Sequence, residues 1–331
     1  MSRIACVTGA TGFLGRRLVR SLCQNDDVEV RCLVRSTSDT TGIEDTVPLK
    51  HLHRVKILRG DLSDSEFVRN SVRGADVVYH LAASLSGSTS TMFLNTVIPT
   101  RQLMTDAAAA NVGRFVLISS LGVYGTEELK TNQELTEEAP IDPHPADRDA
   151  YTFSKIRQEQ VARELAEELK LPLVVVRPGV IYGPGRTLLT SRVGLKLGPM
   201  LIQMGSQTLP YTFVENCADA IALAGLEPDV DGETFNIVDD DLPTGSQLLK
   251  FLKKRGQSVR TLPIPRFAIG RLSALYHWYS RFSDGQLPPV ITRYKSNAIW
   301  KSLKYSNQKA KERLHWQPAV STEEALRRAL V

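Results

Sequence analysis

A glycine-rich stretch near the amino terminus, Thr8-Gly9-Ala10-Thr11-Gly12-Phe13-Leu14-Gly15, constrains the fold of this chain more than any other feature. It follows an apolar run at residues 4–7, which predicts a buried strand, and it precedes apolar residues at helical spacing. Glycines at such a junction permit a tight turn and close approach of an anion, and free N–H groups at the helix start attract phosphate. The candidate phosphate-binding residues are Thr8, Gly9, Gly12, Phe13, Leu14 and Gly15.

The alternation of strand and helix continues beyond this loop. Short apolar runs, each followed by a polar turn, predict further strands at 28–34, 55–58, 75–79, 114–118 and 173–177. Such a regular succession favours an α/β fold with a doubly wound parallel sheet. Between residues 126 and 149 the periodicity is lost and Glu, Pro and Asp are frequent, which predicts a surface loop.

A second motif, Tyr151-Thr152-Phe153-Ser154-Lys155, begins a helix that is predicted to extend to about residue 170. Residues four positions apart share a helix face, so Tyr151 and Lys155 are expected to point the same way. A phenol has a pKa of about 10 and exchanges protons near neutral pH only where a neighbouring cation favours the phenolate. The pair alone also fits an ordinary solvated helix face, so its weight depends on the motifs before it.

Two motifs precede this pair at informative spacings. Asn95 lies in a long predicted helix at 90–111, and Ser119-Ser120-Leu121-Gly122-Val123-Tyr124-Gly125 follows a predicted strand. The order of glycine loop, asparagine, serine segment and Tyr-x-x-x-Lys resembles the extended short-chain dehydrogenase/reductase family, which includes NAD-dependent epimerases and dehydratases. In that family the serine orients the substrate oxygen, the tyrosine exchanges its proton and the lysine lowers the tyrosine pKa. The implied catalytic set is Ser120, Tyr151, Lys155 and Asn95.

The same resemblance implies further cofactor contacts at the carboxyl ends of the strands. The segment from Arg177 to Gly185 resembles one that passes beside the nicotinamide in this family. His80 is expected to be a packed histidine rather than a catalyst, and Asp61 also fits the N-cap of the following helix. Besides Tyr151 and Lys155, the implied contacts are Asp61, Leu62, Leu81, Ala82, Ala83, Ser119, Pro178 and Val180.

Arg35 bears on which dinucleotide the chain binds. An NAD-binding fold usually carries an acid at the end of its second strand, where it contacts the ribose hydroxyls. Here Val34 stands at that position and Arg35 follows it. A guanidinium pairs with the 2′-phosphate that an acid would repel, so NADP is the expected cofactor and NAD the alternative. Arg35 also fits an ordinary solvated loop residue.

The resemblance also implies a division of the chain. Residues 1–180 and about 211–238 are expected to form a Rossmann-type NADP-binding domain, and about 181–210 with 239–331 a smaller C-terminal substrate lobe. Within the lobe, residues 263–282 form an amphipathic stretch with basic margins. This stretch fits a helix packed on the sheet domain, and it also fits peripheral membrane contact.

Composition excludes several other classes of protein. The chain has 331 residues and a net charge of +5, but basic and acidic residues alternate, and no motif for nucleic-acid binding occurs. Its four cysteines, at 6, 23, 32 and 217, form no C-x-x-C pair, so we expect neither a metal site nor disulfides, and a cytoplasmic location. No apolar run reaches the roughly 18 residues of a membrane span.

A homodimer is expected from the two long helices at about 90–111 and 150–169. In the resembling family these helices commonly pair across a two-fold axis. The apolar surface for this contact is expected from Met92, Leu103, Met104, Ile156 and Leu165.

Three segments favour a net redox reaction. Ser120-Leu121-Gly122 replaces the Thr-Asp-Glu set of sugar-nucleotide dehydratases, and Arg177-Pro178-Gly179 replaces the Arg-Tyr-Phe-Asn segment of many nucleotide-sugar epimerases. Arg177-Pro178-Gly179 resembles the 3β-hydroxysteroid dehydrogenase and dihydroflavonol reductase branch, and the run at 287–293 also resembles the hydroxysteroid dehydrogenases. We therefore expect an NADP-dependent oxidoreductase that interconverts a carbonyl and a secondary alcohol on a small molecule, with an apolar or sterol-like compound as one candidate. A nucleotide-sugar 4-epimerase and a non-catalytic NADP-binding regulator are the alternatives.

Overall fold

The computed structural model of the protein describes residues 2–186, 190–204, 207–256, 259–264, 266–282 and 292–330. Its strands are β1 (Arg3–Thr8), β2 (Val28–Val34), β3 (Val55–Arg59), β4 (Val77–His80), β5 (Arg114–Ile118), β6 (Glu134–Leu135), β7 (Leu173–Pro178), β8 (Val180–Tyr182), β9 (Gly194–Leu197), β10 (Met200–Gln203), β11 (Tyr211–Phe213), β12 (Thr234–Ile237), β13 (Arg260–Pro263) and β14 (Lys304–Tyr305). Its helices are α1 (Gly15–Leu22), α2 (Thr41–Glu44), α3 (Ser65–Val72), α4 (Thr89–Ala109), α5 (Ala150–Leu169), α6 (Val214–Leu226), α7 (Gly245–Lys254), α8 (Arg266–Arg281), α9 (Arg293–Trp300), α10 (Gln308–Arg313) and α11 (Thr322–Arg328). Residues 287–291 of the run at 287–293 lie outside the described residues.

A seven-stranded sheet in the order β12-β7-β5-β4-β1-β2-β3 forms the centre of the molecule, and all of its strand pairs are parallel. The chain enters at β1, adds β2 and β3 on one side, and then returns to build the other side from β4 onward. This reversal leaves a crevice between the carboxyl ends of β1 and β4, where ligands of such sheets bind. The predicted doubly wound α/β fold is confirmed.

Helices cover both faces of this sheet, which explains why its strands are continuously apolar rather than alternating. One face packs on α1 and α6, with a core that includes Val7, Leu18 and Ala220. The other packs on α3, α4 and α5, with a core that includes Leu103 and Phe115. Both layers hold the carboxyl edge of the sheet rigidly in place.

The apolar residues that were expected at a dimer surface are buried within the chain itself. The buried residues of this set are Met92, Leu103, Met104, Ile156 and Leu165. The expectation about these side chains is wrong because α4 and α5 use their apolar faces to pack within the subunit, and helical periodicity does not show which partner covers a face. On α4, the exposed large apolar side chains are instead Leu94 and Ile98.

The segment at 126–149 is more than the predicted surface loop. It contains β6, which pairs in parallel with β14 near the carboxyl terminus. Asp142 and Arg148 form a buried ion pair, and Tyr294 of α9 donates a hydrogen bond to Asp142. Leu135 is buried as well. The sequence concealed this packing because its partners lie about 150 residues further along the chain.

The rest of the chain builds a smaller unit at the carboxyl edge of the sheet. The strands β9, β10 and β13 form a three-stranded sheet, and β8 pairs with β11. Residues 308–316 were expected in this lobe, yet Ala310, Leu314 and Trp316 pack into the core of the large sheet. The Trp316 indole N–H donates to the Asn216 carbonyl at 3.0 Å, which ties the C-terminal segment to α6.

The amphipathic stretch at 263–282 includes the helix α8. Among the side chains described in this stretch, the large apolar ones that are more than half exposed are Leu275, Trp278, Tyr279 and Phe282. No helix within the described ranges is long and apolar enough to cross a membrane.

Candidate active site

A cavity of about 780 Å³ opens at the crevice between β1 and β4. Its lining runs from the glycine loop along the carboxyl ends of β3, β4 and β5 to the segment that follows β8. Every residue that was predicted for catalysis or cofactor binding lines this cavity except Thr8. Asn95 contributes from an exposed position on α4. The structure thus gathers motifs from most of the chain around one site.

The glycine loop has the geometry of a cradle that a side chain would fill. Gly9 adopts a φ of +69°, and a Cβ there would lie 3.0 Å from the backbone nitrogen of Ala82. A Cβ on Gly15 would lie 2.1 Å from the Gly9 carbonyl oxygen, so neither position accepts a larger residue. The helix α1 begins at Gly15, and the first N–H groups of a helix have no intrahelical partner. The loop therefore fits the pyrophosphate of a dinucleotide.

Thr8 belongs to a buried hydrogen-bond chain below the cavity rather than to its lining. The Thr8 hydroxyl lies 2.8 Å from His80 Nδ1 and accepts the Ala82 N–H at 3.2 Å. The Thr100 hydroxyl donates its proton to the Thr96 carbonyl. It can therefore only accept in its 2.8 Å hydrogen bond with His80 Nε2, so Nε2 must carry a proton. His80 is thus neutral, with its proton on Nε2.

The protonation of His80 follows from its surroundings. The ring is buried, and burial, assisted by the positive charge of Lys155, lowers the pKa of His80 to about 3. Both ring nitrogens already have partners in Thr8 and Thr100. The geometry agrees with the expectation of a packed histidine, because His80 holds β4 against β1 and α4.

The same hydrogen-bond chain reaches Lys155. The Gln158 amide N–H donates to Thr100 at 2.8 Å, and the Gln158 amide oxygen accepts Lys155 Nζ at 2.9 Å. Lys155 Nζ also donates to the Ile118 carbonyl at 2.8 Å. Burial lowers the pKa of Lys155 to about 8, and the negative charge of Glu159 opposes that change. The ammonium group is therefore fixed in position at the floor of the cavity.

Tyr151 and Ser120 lie together above Lys155. Tyr151 is in the first turn of α5, whose N-cap Asp149 accepts the Thr152 N–H at 3.0 Å. Ser120 Oγ accepts the Gly122 N–H at 3.0 Å, and its hydroxyl group also makes a hydrogen bond with the Tyr151 side chain. The positive end of the α5 dipole favours an anionic oxygen at Tyr151. Both hydroxyl groups face the same part of the cavity.

The charges that act on Tyr151 differ from the expected ones. Burial raises the pKa of Tyr151, while a side-chain hydrogen bond with Ser120 and the positive charges of Arg186 and Arg192 lower it. The cation expected to do so was Lys155, which instead bonds to Gln158 and Ile118. Helical spacing places Lys155 on the correct face, but it does not determine where a long side chain ends.

Ser119 was expected to contact the cofactor. In the structure, its hydroxyl group is hydrogen-bonded within a buried cluster of charged side chains. Ser119 Oγ donates to Glu159 at 2.7 Å. Arg177 forms a buried ion pair with the same carboxylate, and its guanidinium lies 4.5 Å from the Tyr124 ring centroid. Burial raises the pKa of Glu159, but its bonds to Arg177 and the charge of Arg163 hold the net value below the usual range. This cluster joins α5 to β5 and β7.

The adenine end of the cavity contains Arg35 and Asp61. Arg35 is exposed at the end of β2, and among the described residues its side chain has neither a hydrogen bond nor an ion pair. Asp61 accepts the N–H and the hydroxyl of Ser63 at 2.8 and 2.7 Å, and these bonds lower its pKa. Asp64, rather than Asp61, is the N-cap of α3.

Three polar residues at the site escaped sequence reasoning. Gln158 has no motif of its own, although its position three residues after Lys155 places it on the neighbouring part of the same helix face. Arg186 and Arg192 line the cavity from the lobe side. Their only sequence signal is two arginines soon after the Tyr182-Gly183-Pro184-Gly185 segment.

The structure offers no sign of metal chemistry in the part of the chain that it describes. Within those ranges, no group of three or more His, Cys, Asp or Glu side chains could hold a metal ion. The four cysteines are buried free thiols, and burial raises the pKa of each, to about 12 for Cys6 and about 11 for Cys23.

Comparison with known proteins identifies the family. The sequence profile of the NAD dependent epimerase/dehydratase family matches residues 5–238, which include the glycine loop, the serine segment and the Tyr-Lys pair. The chain belongs to that family. The predicted resemblance is confirmed, and the protein is an enzyme of a class that uses a nicotinamide dinucleotide.

Similar proteins differ in the reactions that their names describe. Cinnamoyl-CoA reductase 1 from Petunia hybrida is 32% identical over 187 residues, so the match spans 55% of this chain and only about half (55%) of that protein. The 2-alkyl-3-oxoalkanoate reductase of Shewanella oneidensis is 25% identical over 338 residues, which cover 98% of this chain and 84% of the relative. The UDP-glucuronic acid 4-epimerase of Bacillus cereus in complex with NAD has a TM-score of 0.73 at 20% identity, over 98% of this chain and 96% of that one.

Proposed function

We propose that the protein is an NADP-dependent oxidoreductase that interconverts a carbonyl and a secondary alcohol. The observation that carries this proposal is the convergence of Ser120, Tyr151 and Lys155 on the cavity that also contains the glycine loop. The two reductases among the relatives support a net redox reaction.

Each polar group of the site has a distinct part in this reaction. The Ser120 hydroxyl, whose oxygen accepts the Gly122 N–H, donates to the substrate oxygen and holds it beside Tyr151. The Tyr151 phenol gives its proton to that oxygen during reduction and takes it back during oxidation. Lys155, held by Gln158 and Ile118, binds the ribose hydroxyls and supplies positive charge below the reacting oxygen. Asn95 supports the proton relay from the cavity edge.

The nicotinamide dinucleotide, when bound, supplies or accepts the hydride. The glycine cradle would hold its pyrophosphate, and Leu62, Leu81, Ala82 and Ala83 would border its adenine half. Arg35 and the neighbouring Ser38 line the cavity where a 2′-phosphate would lie, and the free guanidinium of Arg35 would pair with it. This arrangement supports NADP as the cofactor.

Four further features complete the proposal. Two units are proposed, a sheet domain that binds the cofactor and a lobe that binds the substrate, with residues 308–316 joined to the former. A homodimer through α4 and α5 would use the exposed Leu94 and Ile98 instead of the residues first expected. The four free thiols suit a reducing, cytoplasmic environment. The exposed apolar face of α8 would suit contact with a membrane surface.

A cofactor-consumption assay tests the proposed activity. The protein is mixed with NADPH or NADH and a panel of ketones and aldehydes, and absorbance at the reduced nicotinamide is followed. Consumption of NADPH with at least one carbonyl compound is the expected result. Binding of NADPH without turnover would favour a regulator, and interconversion of UDP-sugars without net cofactor consumption would favour an epimerase.

A further inference from the structure

Two guanidinium groups stand at the substrate end of the cavity. Arg186 and Arg192 line it from the segment after β8. Among the described residues, neither side chain takes part in an ion pair, whereas Arg31, Arg148 and Arg177 each pair with a carboxylate. A partly buried cation without a counter-ion loses hydration that nothing replaces. Such a pair is therefore arranged for an anionic ligand.

The cavity contains little negative charge of its own. Asp61 is the one acid among its lining residues, and it lies at the adenine end, where Ser63 already bonds to its carboxylate. Arg35 at the same end is assigned to the 2′-phosphate, and the glycine cradle to the pyrophosphate. Arg186 lies beside Phe13 of the glycine loop, so Arg192 is the arginine of this pair that has no contact with the loop and no cofactor phosphate assigned to it.

The two arginines are near the reacting atoms. Both lower the pKa of Tyr151, which places their charge within electrostatic reach of the phenol. The Arg186 guanidinium also lies 5.7 Å from the Phe13 ring centroid, on the side of the glycine loop. Arg192 adjoins Val193, which is buried in the lobe core, and the Gln207 amide donates to the Arg192 carbonyl. Its backbone is thereby anchored beside the cavity, which Arg192 lines.

We propose that the substrate carries an anionic group, a carboxylate or a phosphate, which Arg192 binds with help from Arg186 while Ser120 and Tyr151 hold the carbonyl. A guanidinium binds either anion through two parallel hydrogen bonds, which fixes orientation as well as charge. This inference rests on the proposed redox function and names the class of its substrate. Apolar lining at Leu121, Ile181 and Pro210 suits a carbon skeleton between the two polar ends.

Matched ketones test the proposal. The probes are 3-oxohexanoate, its methyl ester and 2-oxopropyl phosphate, and the variants are Arg192→Gln, Arg192→Lys and the control Arg260→Gln, an exposed arginine of the same lobe. Binding is measured by calorimetry to the protein saturated with NADP⁺, because the oxidised cofactor cannot reduce a ketone. In the parent, one of the anions should bind at least tenfold more tightly than the ester, and comparison of the two anions shows which one the site takes.

Arg192→Gln should weaken binding of that anion by about tenfold or more, the scale of one charge-assisted contact, and leave binding of the ester within twofold. Arg192→Lys should restore part of the loss, and Arg260→Gln should change nothing. The affinity for NADPH should be unaltered in all three variants. Equal binding of acid and ester, no binding of either anion, or an unchanged affinity in Arg192→Gln would overturn the proposal.

The same experiments distinguish failure of the anion site from failure of the proposed redox function. Reduction of the ester and the acid at equal rates by NADPH would refute the anion site and leave the redox function intact. Arg192-dependent binding of an anion without any NADPH consumption, here or in the wider carbonyl panel, would uphold the anion site and refute the redox function.

Discussion

The two ends of the active-site cavity differ in how their polar groups are paired. Below the cofactor end, a continuous chain of hydrogen bonds joins Lys155, Gln158, Thr100, His80 and Thr8 before any ligand arrives. At the substrate end, the guanidinium groups of Arg186 and Arg192 have no ion-pair or hydrogen-bond partner among the described residues. The first end is therefore organised in advance, whereas the second acquires its partners from the ligand.

This difference has a consequence for what each end contributes. A buried network that is fully paired costs little to maintain and holds Lys155 and the loop at Ala82 in fixed positions. Unpaired cations are costly without a ligand and give specificity when one binds. We expect changes at the cofactor end to affect stability first, and changes at the substrate end to affect ligand binding with little loss of stability.

The largest stability effect should come from the charge cluster beneath the cofactor end. Glu159→Gln leaves the buried Arg177 guanidinium without its counter-ion, and breaking a buried pair in this way costs about 3–5 kcal/mol of the free energy of unfolding. Urea unfolding measures this loss. Glu168→Gln, an exposed change on the same helix, is the control and should stay within about 0.5 kcal/mol. A loss below about 1 kcal/mol for Glu159→Gln would contradict this account of the cluster.

His80 should make stability sensitive to acid. Its pKa is about 3 in the folded protein and about 6.5 when unfolded, so between these values the unfolded chain binds more protons and stability falls as the pH falls. From pH 7 to pH 5 this linkage removes about 2 kcal/mol. The variant His80→Asn should lack that part of the pH dependence, whereas the exposed His53→Asn should retain it. Parallel pH profiles for parent and His80→Asn would show that the ring is not held neutral.

A smaller effect is expected at Arg35, where the cofactor end meets solvent. Arg35→Asp replaces a cation with an acid that repels the 2′-phosphate, so binding of NADPH should weaken by about tenfold or more. Binding of NADH should be unchanged or improved, and the free energy of unfolding should stay within about 0.5 kcal/mol. Fluorescence titration with both cofactors measures the shift. Equal affinity of the parent for NADH and NADPH would remove the basis for assigning NADP.

The two ends of the cavity also differ in how much of them the sequence could predict. The fold and the glycine loop depend on local patterns, because buried parallel strands are continuously apolar and the loop needs glycine at Gly9 and Gly15. Tyr151 and Lys155 lie on one helix, so their spacing places both at the cavity. The position of Arg192 depends on packing of the lobe, and no local pattern encodes it. The burial of Met104, on α4, within the subunit was missed for a related reason. Periodicity identifies an apolar helix face but does not show what covers it.

The central claim is that Tyr151 exchanges a proton with the substrate in a site that binds NADP. Tyr151→Phe removes only the phenol oxygen, so the variant should bind NADPH with nearly the parental Kd while turnover of the best carbonyl substrate falls by roughly 10²-fold or more. Tyr279→Phe, an exposed tyrosine on α8, should keep parental turnover. Reduction by Tyr151→Phe at close to the parental rate would contradict the claim and make a cofactor-binding, non-catalytic role the better account.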